Sequence, residues 1–530
     1  MITEDQTEVI AFLARPSTHG GAVVDRIETH ASIVFLAGSR AWKLKRAVRY
    51  DYLDFSTAAR RRVMCEAEVA VNRRTAPDIY RGVVPVTRDS DGALAMGGQG
   101  TPVEWLVEMA RFDQDGLLDR QAERGILDVT LMPALGAAIA RFHDGASRRP
   151  DRGGQSAMAW VVDGNAQGFA EQAAGVFDEA TCARVTRASR AAIARDGTRL
   201  DARRNAGDVR QCHGDLHLRN IVVLDGRPTL FDAIEFNDDI SCIDVLYDLA
   251  FLLMDLWHRQ LPHHANAVWN GYVAETRRLE GLELLPLFLS CRAAVRAKTS
   301  ATAANLQHDP AEQYSMQTQA REYLSLAEQL LQPLGPCIVA IGGFSGSGKS
   351  TLAHTVAALI GAVPGAIVIR SDVIRKHLCG VDPLHRLGAH GYTAETTHRV
   401  YASVIEESRR ALHGGQAVIA DAVFSRLSDR EAIENAANDA GVRFVGLWLD
   451  APEATLVVRS ERRERDPSDA DADVIRHQLS QGTGAIAWHR IDASSGPEHV
   501  RQEAMTILRE ALAAGVVRHE PSVLPTASKA

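Results

Sequence analysis

The segment Cys337–Leu352, CIVAIGGFSGSGKSTL, limits the fold of this chain more than any other stretch. A short apolar run, Ile338 to Ile341, leads into a glycine loop, and a helix-forming segment follows. The loop contains Gly343-x-x-x-x-Gly348-Lys349-Ser350, the Walker A spacing. Glycines such as Gly343, Gly346 and Gly348 let the backbone curl until successive N–H groups point at one phosphate. The helix N-terminus that follows adds a favourable dipole. Lys349 is placed to reach the outer phosphates, and the Ser350 hydroxyl to hold Mg²⁺. Ser345, Ser347 and Thr351 complete the expected nucleotide-binding set. ATP with Mg²⁺ is the ligand this pattern implies. The loop begins at residue 343 of 530, so more than half the chain precedes it and must form something else.

Length sets the prior at two to four domains, each large enough to bury its own core. A net charge of −8 gives no reason to expect a nucleic-acid surface. The first residues, MITEDQTEVIAF, have no basic start and no long apolar core, so no secretory signal is expected. The most apolar helix candidate, Ile243–Leu256, carries Asp244, Asp248 and Asp255, which argues against a membrane span. The seven cysteines are scattered without a C-x-x-C pair, a pattern that suits a reduced cytoplasm and offers no zinc site.

In the first half, SIVFL (32–36) and AWKLK (41–45) read as a hairpin around Ala37-Gly38-Ser39-Arg40. In kinase folds an Ala two residues before a Lys lies near the adenine, and the Lys holds the α/β phosphates. Lys43 is that residue here, with Lys45 on the same strand face as the fallback. Ala58–Arg74 reads as a helix, from which Glu66 is the expected partner of the lysine and Glu68 the alternative. Further strands are expected at 82–86 and 103–109, and helices at 131–145 and 168–196. The stretch Gln211–Asn237 contains His213-x-Asp215-x-x-x-x-Asn220, the spacing of a kinase catalytic loop. After it come the short strands IVVL (221–224) and TLF (229–231), which deliver Asp232 to a strand end. Asp215 would accept or orient the proton of an attacking hydroxyl. Asn220 and Asp232 would hold a metal ion between phosphate and acceptor.

HGDLHLRN followed by LFDAIEFND closely resembles the aminoglycoside phosphotransferase family, the small-molecule branch of the kinase-like fold that includes choline kinases. The resemblance covers roughly residues 25–300. It implies that Asp215 is the catalytic base, that Asn220 and Asp232 are magnesium ligands, and that Lys43 with Glu66 is the nucleotide-side ion pair. No G-x-G-x-x-G loop is present, which the family often lacks. Asp244 and Asp248, at i and i+4 on the next helix, either orient the catalytic loop or solvate the helix.

Pro333, Gly335 and Pro336 put a domain boundary near 332–337. Beyond it, the strands AIVIR (366–370), AVIAD (417–421) and FVGLWLD (444–450) alternate with helices, which points to a parallel, doubly wound sheet. Ligands collect at the carboxyl ends of such strands, where Asp372, Asp421 and Asp450 lie. Asp421 fits a Walker-B position near Mg²⁺. Asp372 and Arg375, one helical turn apart, suit hydroxyl activation and substrate or phosphate binding. An arginine-rich helix over 455–465, with Arg459 and Arg463 on one face, suits a lid over the transferring phosphates. GFSGSGKST, SDVIRK and this lid resemble the small P-loop kinases, among them gluconate kinase, chloramphenicol phosphotransferase, zeta toxins and polynucleotide kinase. That likeness makes Asp372 the candidate base for the acceptor.

The expected architecture is therefore a kinase-like α+β two-lobed domain over 1–332 (N-lobe about 25–110, C-lobe about 111–325). An α/β P-loop domain over 333–515 and a flexible tail over 516–530 follow. The whole order resembles a bacterial group in which an aminoglycoside phosphotransferase-like domain is fused to an ATP-binding domain. The expected activity is ATP- and Mg²⁺-dependent phosphoryl transfer to hydroxyls of small molecules in the cytoplasm, without membrane or nucleic-acid partners. Two alternatives stay open: one domain regulating the other, or a P-loop switch or toxin-like module.

Overall fold

The β-branched and aromatic run at 32–45 pairs as a hairpin because its turn, Ala37 to Arg40, contains Gly38 in a left-handed conformation (φ +57°). In the computed structural model this hairpin is part of a six-stranded antiparallel sheet. Its strands are β1 (Val24–Glu28), β2 (Ser32–Ala37), β3 (Arg40–Lys45), β4 (Tyr80–Arg88), β5 (Leu94–Met96) and β6 (Thr101–Ala110), in the order β1-β2-β3-β6-β4-β5. The structure describes all residues except 1, 51, 173–174, 383–384, 463–466, 513–515 and 519–530. Lys43 stands opposite Val34 on one side and Val107 on the other, so it lies in the middle of the sheet.

Helix α1 (Ala58–Asn72) packs on this sheet. Thr57 caps it by accepting from Arg60 N–H. Its buried residues Arg61, Cys65, Glu68, Val69 and Asn72 recur at helical spacing, so one stripe faces inward. Downstream, β7 (Val209–Gln211) leads into the catalytic-loop segment, and β8 (Ile221–Leu224) and β9 (Arg227–Leu230) form the second hairpin. β10 (Cys242–Asp244) returns to pair with β7, and α2 (Val245–His258) follows directly. The single helix expected at 168–196 is two, Gly154–Gln172 and Glu179–Ala206. Asp178 starts the second by accepting from Thr181 N–H at 2.8 Å, which Ala-rich composition alone does not reveal.

In the second half, β11 (Cys337–Gly342), β12 (Ile367–Arg370), β13 (Val418–Asp421), β14 (Arg443–Asp450) and β15 (His489–Asp492) form an all-parallel sheet in the order β12-β13-β11-β14-β15. Every residue of β11 is buried, as expected of a central strand covered on both faces. Ile338, Val339 and Ile341 are completely buried, and each contributes roughly 1.5–3 kcal/mol of apolar burial.

The chain divides into two compact units, residues 1–163 with 193–255, and residues 164–192 with 256–530. This differs from a single break at 332–337. Helix α3 (Pro262–Thr276) belongs with the P-loop sheet because it satisfies the open edge of β12. Asn266 Nδ2 donates to Pro364 O and Ala366 O, Asn270 Nδ2 donates to Ala366 O, and Val368 N–H donates to Asn270 Oδ1 at 2.8 Å. Of the tail expected over 516–530, residues 516–518 are described and packed, and 519–530 lie outside the described residues. Val516 and Val517 are buried, and Val516 O accepts from Gly361 N–H. Among the described residues, no helix is long and apolar enough to cross a membrane.

Candidate functional sites

Residues two apart on a strand share a face, so Lys43 and Lys45 both point at α1. Lys43 Nζ donates to Glu68 Oε1 at 2.8 Å and to Asp232 Oδ1 at 2.6 Å. Lys45 Nζ donates to Glu68 Oε2 and Glu235 Oε1, each at 2.5 Å. The two lysines are thus two anchors of one buried cluster. The expected partner Glu66 is corrected to Glu68. Glu66 lies 100° around the helix from buried Cys65, is half exposed, and pairs with Arg62 at 2.9 Å. Burial would raise the Glu68 carboxyl, but Lys43 and Lys45 hold it down to about 2. Burial of Lys43 opposes its charge, yet Asp232 and Glu68 outweigh it and raise its pKa well above the usual value. Burial dominates at Glu235 and pushes it up.

The His213–Asn220 loop is held from below. Asp248, fully buried on α2, accepts from Gly214 N–H at 2.8 Å, His213 N–H at 3.1 Å and His143 Nε2 at 3.0 Å. Asp255, two turns on, accepts from Leu218 N–H at 3.0 Å. These two carboxylates orient the loop, whereas Asp244 forms a two-point pair with Arg203. His213 donates from Nε2 to Phe231 O at 2.9 Å and accepts Asp215 N–H at Nδ1, and burial lowers its pKa.

Asp215 keeps its side chain 38% exposed while Asn220 Nδ2 donates to its Oδ2 at 3.0 Å and His217 Nε2 lies 3.3 Å away. Phe231 N–H donates to Asn220 O, which ties the loop to the segment carrying Asp232. Asp232 adopts a left-handed backbone (φ +60°), and its N–H donates to the buried Tyr80 hydroxyl at 3.1 Å. Asn72 braces the same turn by accepting from Ala233 N–H at 2.8 Å. The amide oxygen of Asn220 and the carboxylate of Asp232 are hard donors that fit Mg²⁺. Sequence reasoning missed Glu235, Tyr80 and Asn72. Glu235 lies inside the LFDAIEFND run that carries the family resemblance, and Asn72 lies four residues after Glu68 on α1; Tyr80 carried no local signal.

The P-loop lines a cavity of about 550 Å³ together with Ser371, Asp372, Asp421 and Arg459. Gly346 is in the left-handed region (φ +88°), and a Cβ there would meet Leu456 O at 2.3 Å, so only glycine fits. Gly348 (φ +94°) caps helix α4 (Lys349–Ala357). Lys349 Nζ donates to Phe344 O at 3.0 Å, and Ser345 N–H donates to Gln478 Oε1 at 3.1 Å. Ser350 Oγ donates to Asp421 Oδ2 at 2.6 Å, a hydroxyl–carboxylate pair that again suits Mg²⁺.

Asp372, in the first turn of α5 (Ser371–Leu378), lines the cavity, but Arg375 does not. Arg375 is buried, donates to Gly391 O at 2.8 Å, and stacks on Tyr392, so its expected place at the mouth is corrected to a packed one. Asp450 is likewise occupied, by Trp448 Nε1 at 2.9 Å and Arg490 Nε at 2.6 Å. Arg459 sits on the helix Glu453–Glu461 and donates to Ala493 O. Arg463 lies outside the described residues.

Residues 55–282 match the phosphotransferase enzyme family, and residues 338–484 match an AAA domain. An uncharacterized protein of Mycobacterium tuberculosis is 29% identical over 497 residues, covering 92% of this chain and 96% of its own length. An adenylyl-sulfate kinase of Myxococcus xanthus is 28% identical over 123 residues, covering 23% of this chain and 62% of its own. A choline/ethanolamine kinase family protein from Mesorhizobium loti shares 15% identity at a TM-score of 0.37, covering 61% of this chain and 98% of its own.

Proposed function

We propose that this ATP-dependent kinase, which joins a phosphotransferase-family domain over 55–282 to an AAA-type P-loop domain over 338–484, phosphorylates hydroxyl groups of small molecules at two separate centres. The observation that carries the reading is Asp215. Its carboxylate is oriented by Asn220 and by a loop clamped on Asp248, yet it remains open to an acceptor. A carboxylate so held accepts or aligns the hydroxyl proton as the hydroxyl attacks the γ-phosphorus. Lys43, fixed by Glu68, positions the nucleotide phosphates. Asp232 and Asn220 would hold a divalent ion, which would supply charge neutralisation to the transferring phosphoryl group.

At the second centre the P-loop amides and Lys349 cradle the phosphates, Ser350 and Asp421 form the metal pair, and Asp372 is the base. Likeness of this domain to an adenylyl-sulfate kinase supports a small-molecule acceptor there as well.

The test is an ATP-consumption screen against sugars, amino sugars, nucleosides and aminoglycosides, run on wild type, Asp215→Ala and Lys349→Ala. Asp215→Ala is expected to lose roughly 10²–10⁴ in first-centre turnover while nucleotide binding persists. Lys349→Ala is expected to abolish second-centre turnover only. Equal turnover by wild type and Asp215→Ala on every acceptor would remove the first assignment. Acceptor-independent hydrolysis lost only in Lys349→Ala would replace the second kinase with an ATPase switch.

A further inference from the structure

Arg370 is the last residue of β12, and in the sheet it stands directly beside Asp421 at the end of β13. Parallel neighbours in register project to the same face, so the guanidinium reaches the cavity wall where Ser350 and Asp421 meet. Arg370 Nη2 donates to Ser350 Oγ at 3.0 Å, and Arg370 Nε donates to Asp421 Oδ2 at 3.2 Å. Ser350 Oγ donates to that same oxygen at 2.6 Å. The place is nearly dry, with 14% of the Arg370 side chain and 5% of the Asp421 side chain exposed. A chain cation therefore bonds both members of the pair that suits a divalent ion. The planar, forked guanidinium makes the two contacts from separate nitrogens, Nη2 to the hydroxyl and Nε to the carboxylate.

The consequence follows from charge. A metal at Ser350 needs the Oγ lone pair that now accepts from Arg370, and it draws on the Asp421 charge that Arg370 now neutralises. In a site with so little water, +1 and +2 facing one carboxylate repel strongly. We propose that Arg370 is the resident counter-ion of the second centre, holding Ser350 and Asp421 in the metal-free protein and yielding both contacts to the metal–nucleotide complex. Arg370 thereby sets the divalent-ion affinity of the site. It is a positioning residue. The inference rests on reading Ser350 and Asp421 as the metal pair.

The test uses the full chain in an Asp232→Ala background, so that metal binding reports the second centre. Free Mn²⁺ is followed by electron paramagnetic resonance with ADP present, and ADP affinity is measured with and without metal. Arg370→Gln is expected to bind Mn²⁺ about tenfold more tightly, because the opposing charge is gone. Its metal-free ADP affinity is expected to fall, since Asp421 then faces the phosphates uncompensated. Arg370→Lys, which keeps the charge but has no fork, is expected to fall between. Unchanged or weaker Mn²⁺ binding in Arg370→Gln overturns the proposal, as does a parallel loss of both ADP affinities, which marks general disruption. If Ser350→Ala and Asp421→Ala leave Mn²⁺ binding untouched, the metal pair itself is misassigned and the proposal falls with it. Lys349→Ala separates these results from a failure of the nucleotide site, since the second-centre share of ADP binding then disappears whether or not metal is present, while the first-centre share remains.

Discussion

Glu68 shows how one helix position decides a centre. It is fully buried, and its two oxygens are shared between Lys43 and Lys45. Replacing one member of a buried charge cluster strands the others, at a cost of roughly 3–5 kcal/mol. Glu68→Gln is therefore expected to lower stability by that amount in denaturant titrations, and Glu66→Gln, on a half-exposed surface pair, by less than about 0.5 kcal/mol. Equal effects would mean that the cluster is not a unit. The pH dependence has a defined sign. Because the folded carboxyl is held at about 2 against a usual 4.5, its contribution is complete above pH 4.5 and is lost as pH falls toward 2. The stability gap between wild type and Glu68→Gln is expected to narrow across that window. A gap that widened on acidification would reverse the assignment.

At the level of elements, a missing side chain on β14 makes room for the ring of Trp488. A Cβ on Gly446 would lie 2.2 Å from Cγ of Trp488, whose ring is packed against Phe424 and Phe444. Trp488 is further fixed by donating to Glu434 at 2.6 Å. Overpacking of this kind costs roughly 1–3 kcal/mol. Gly446→Ala is expected to lower the melting temperature of the P-loop unit, read by the fluorescence of Trp448 and Trp488. An unchanged melting curve would show that the ring can move aside. The same element logic holds in α1. The positions 61, 65, 68 and 72 form one inward stripe, and following that stripe selects Glu68 over Glu66.

At the scale of the whole molecule, the helices between the two motif regions are part of the P-loop unit. Asn266 and Asn270 on α3 act as a partial substitute strand for the edge of β12, taking up Ala366 O and Val368 N–H. In the full chain, Asn266→Ala with Asn270→Ala is expected to expose that edge, at about 1–3 kcal/mol for each polar group left unsatisfied. Faster hydrogen exchange at Val368 is the readout. Unaltered protection would make α3 a bystander, and the boundary near 332–337 would then describe the unit better.

The order of motifs along the chain was enough to identify both halves. Walker A spacing, the His213–Asn220 loop and the apolar strands ending in Asp421 are local patterns whose chemistry depends on residue type and short-range spacing. They were legible because turns, strands and helix starts are written within a few residues. What tertiary structure alone decided are pairings across long separations. Lys45 finds Glu235 across 190 residues, Arg370 finds Ser350 and Asp421, and Asn270 finds Val368. Charge and hydrogen-bond partners of this kind are chosen by which strands and helices pack together. No local spacing records that choice, because burial makes a polar group take whichever partner the fold brings within reach.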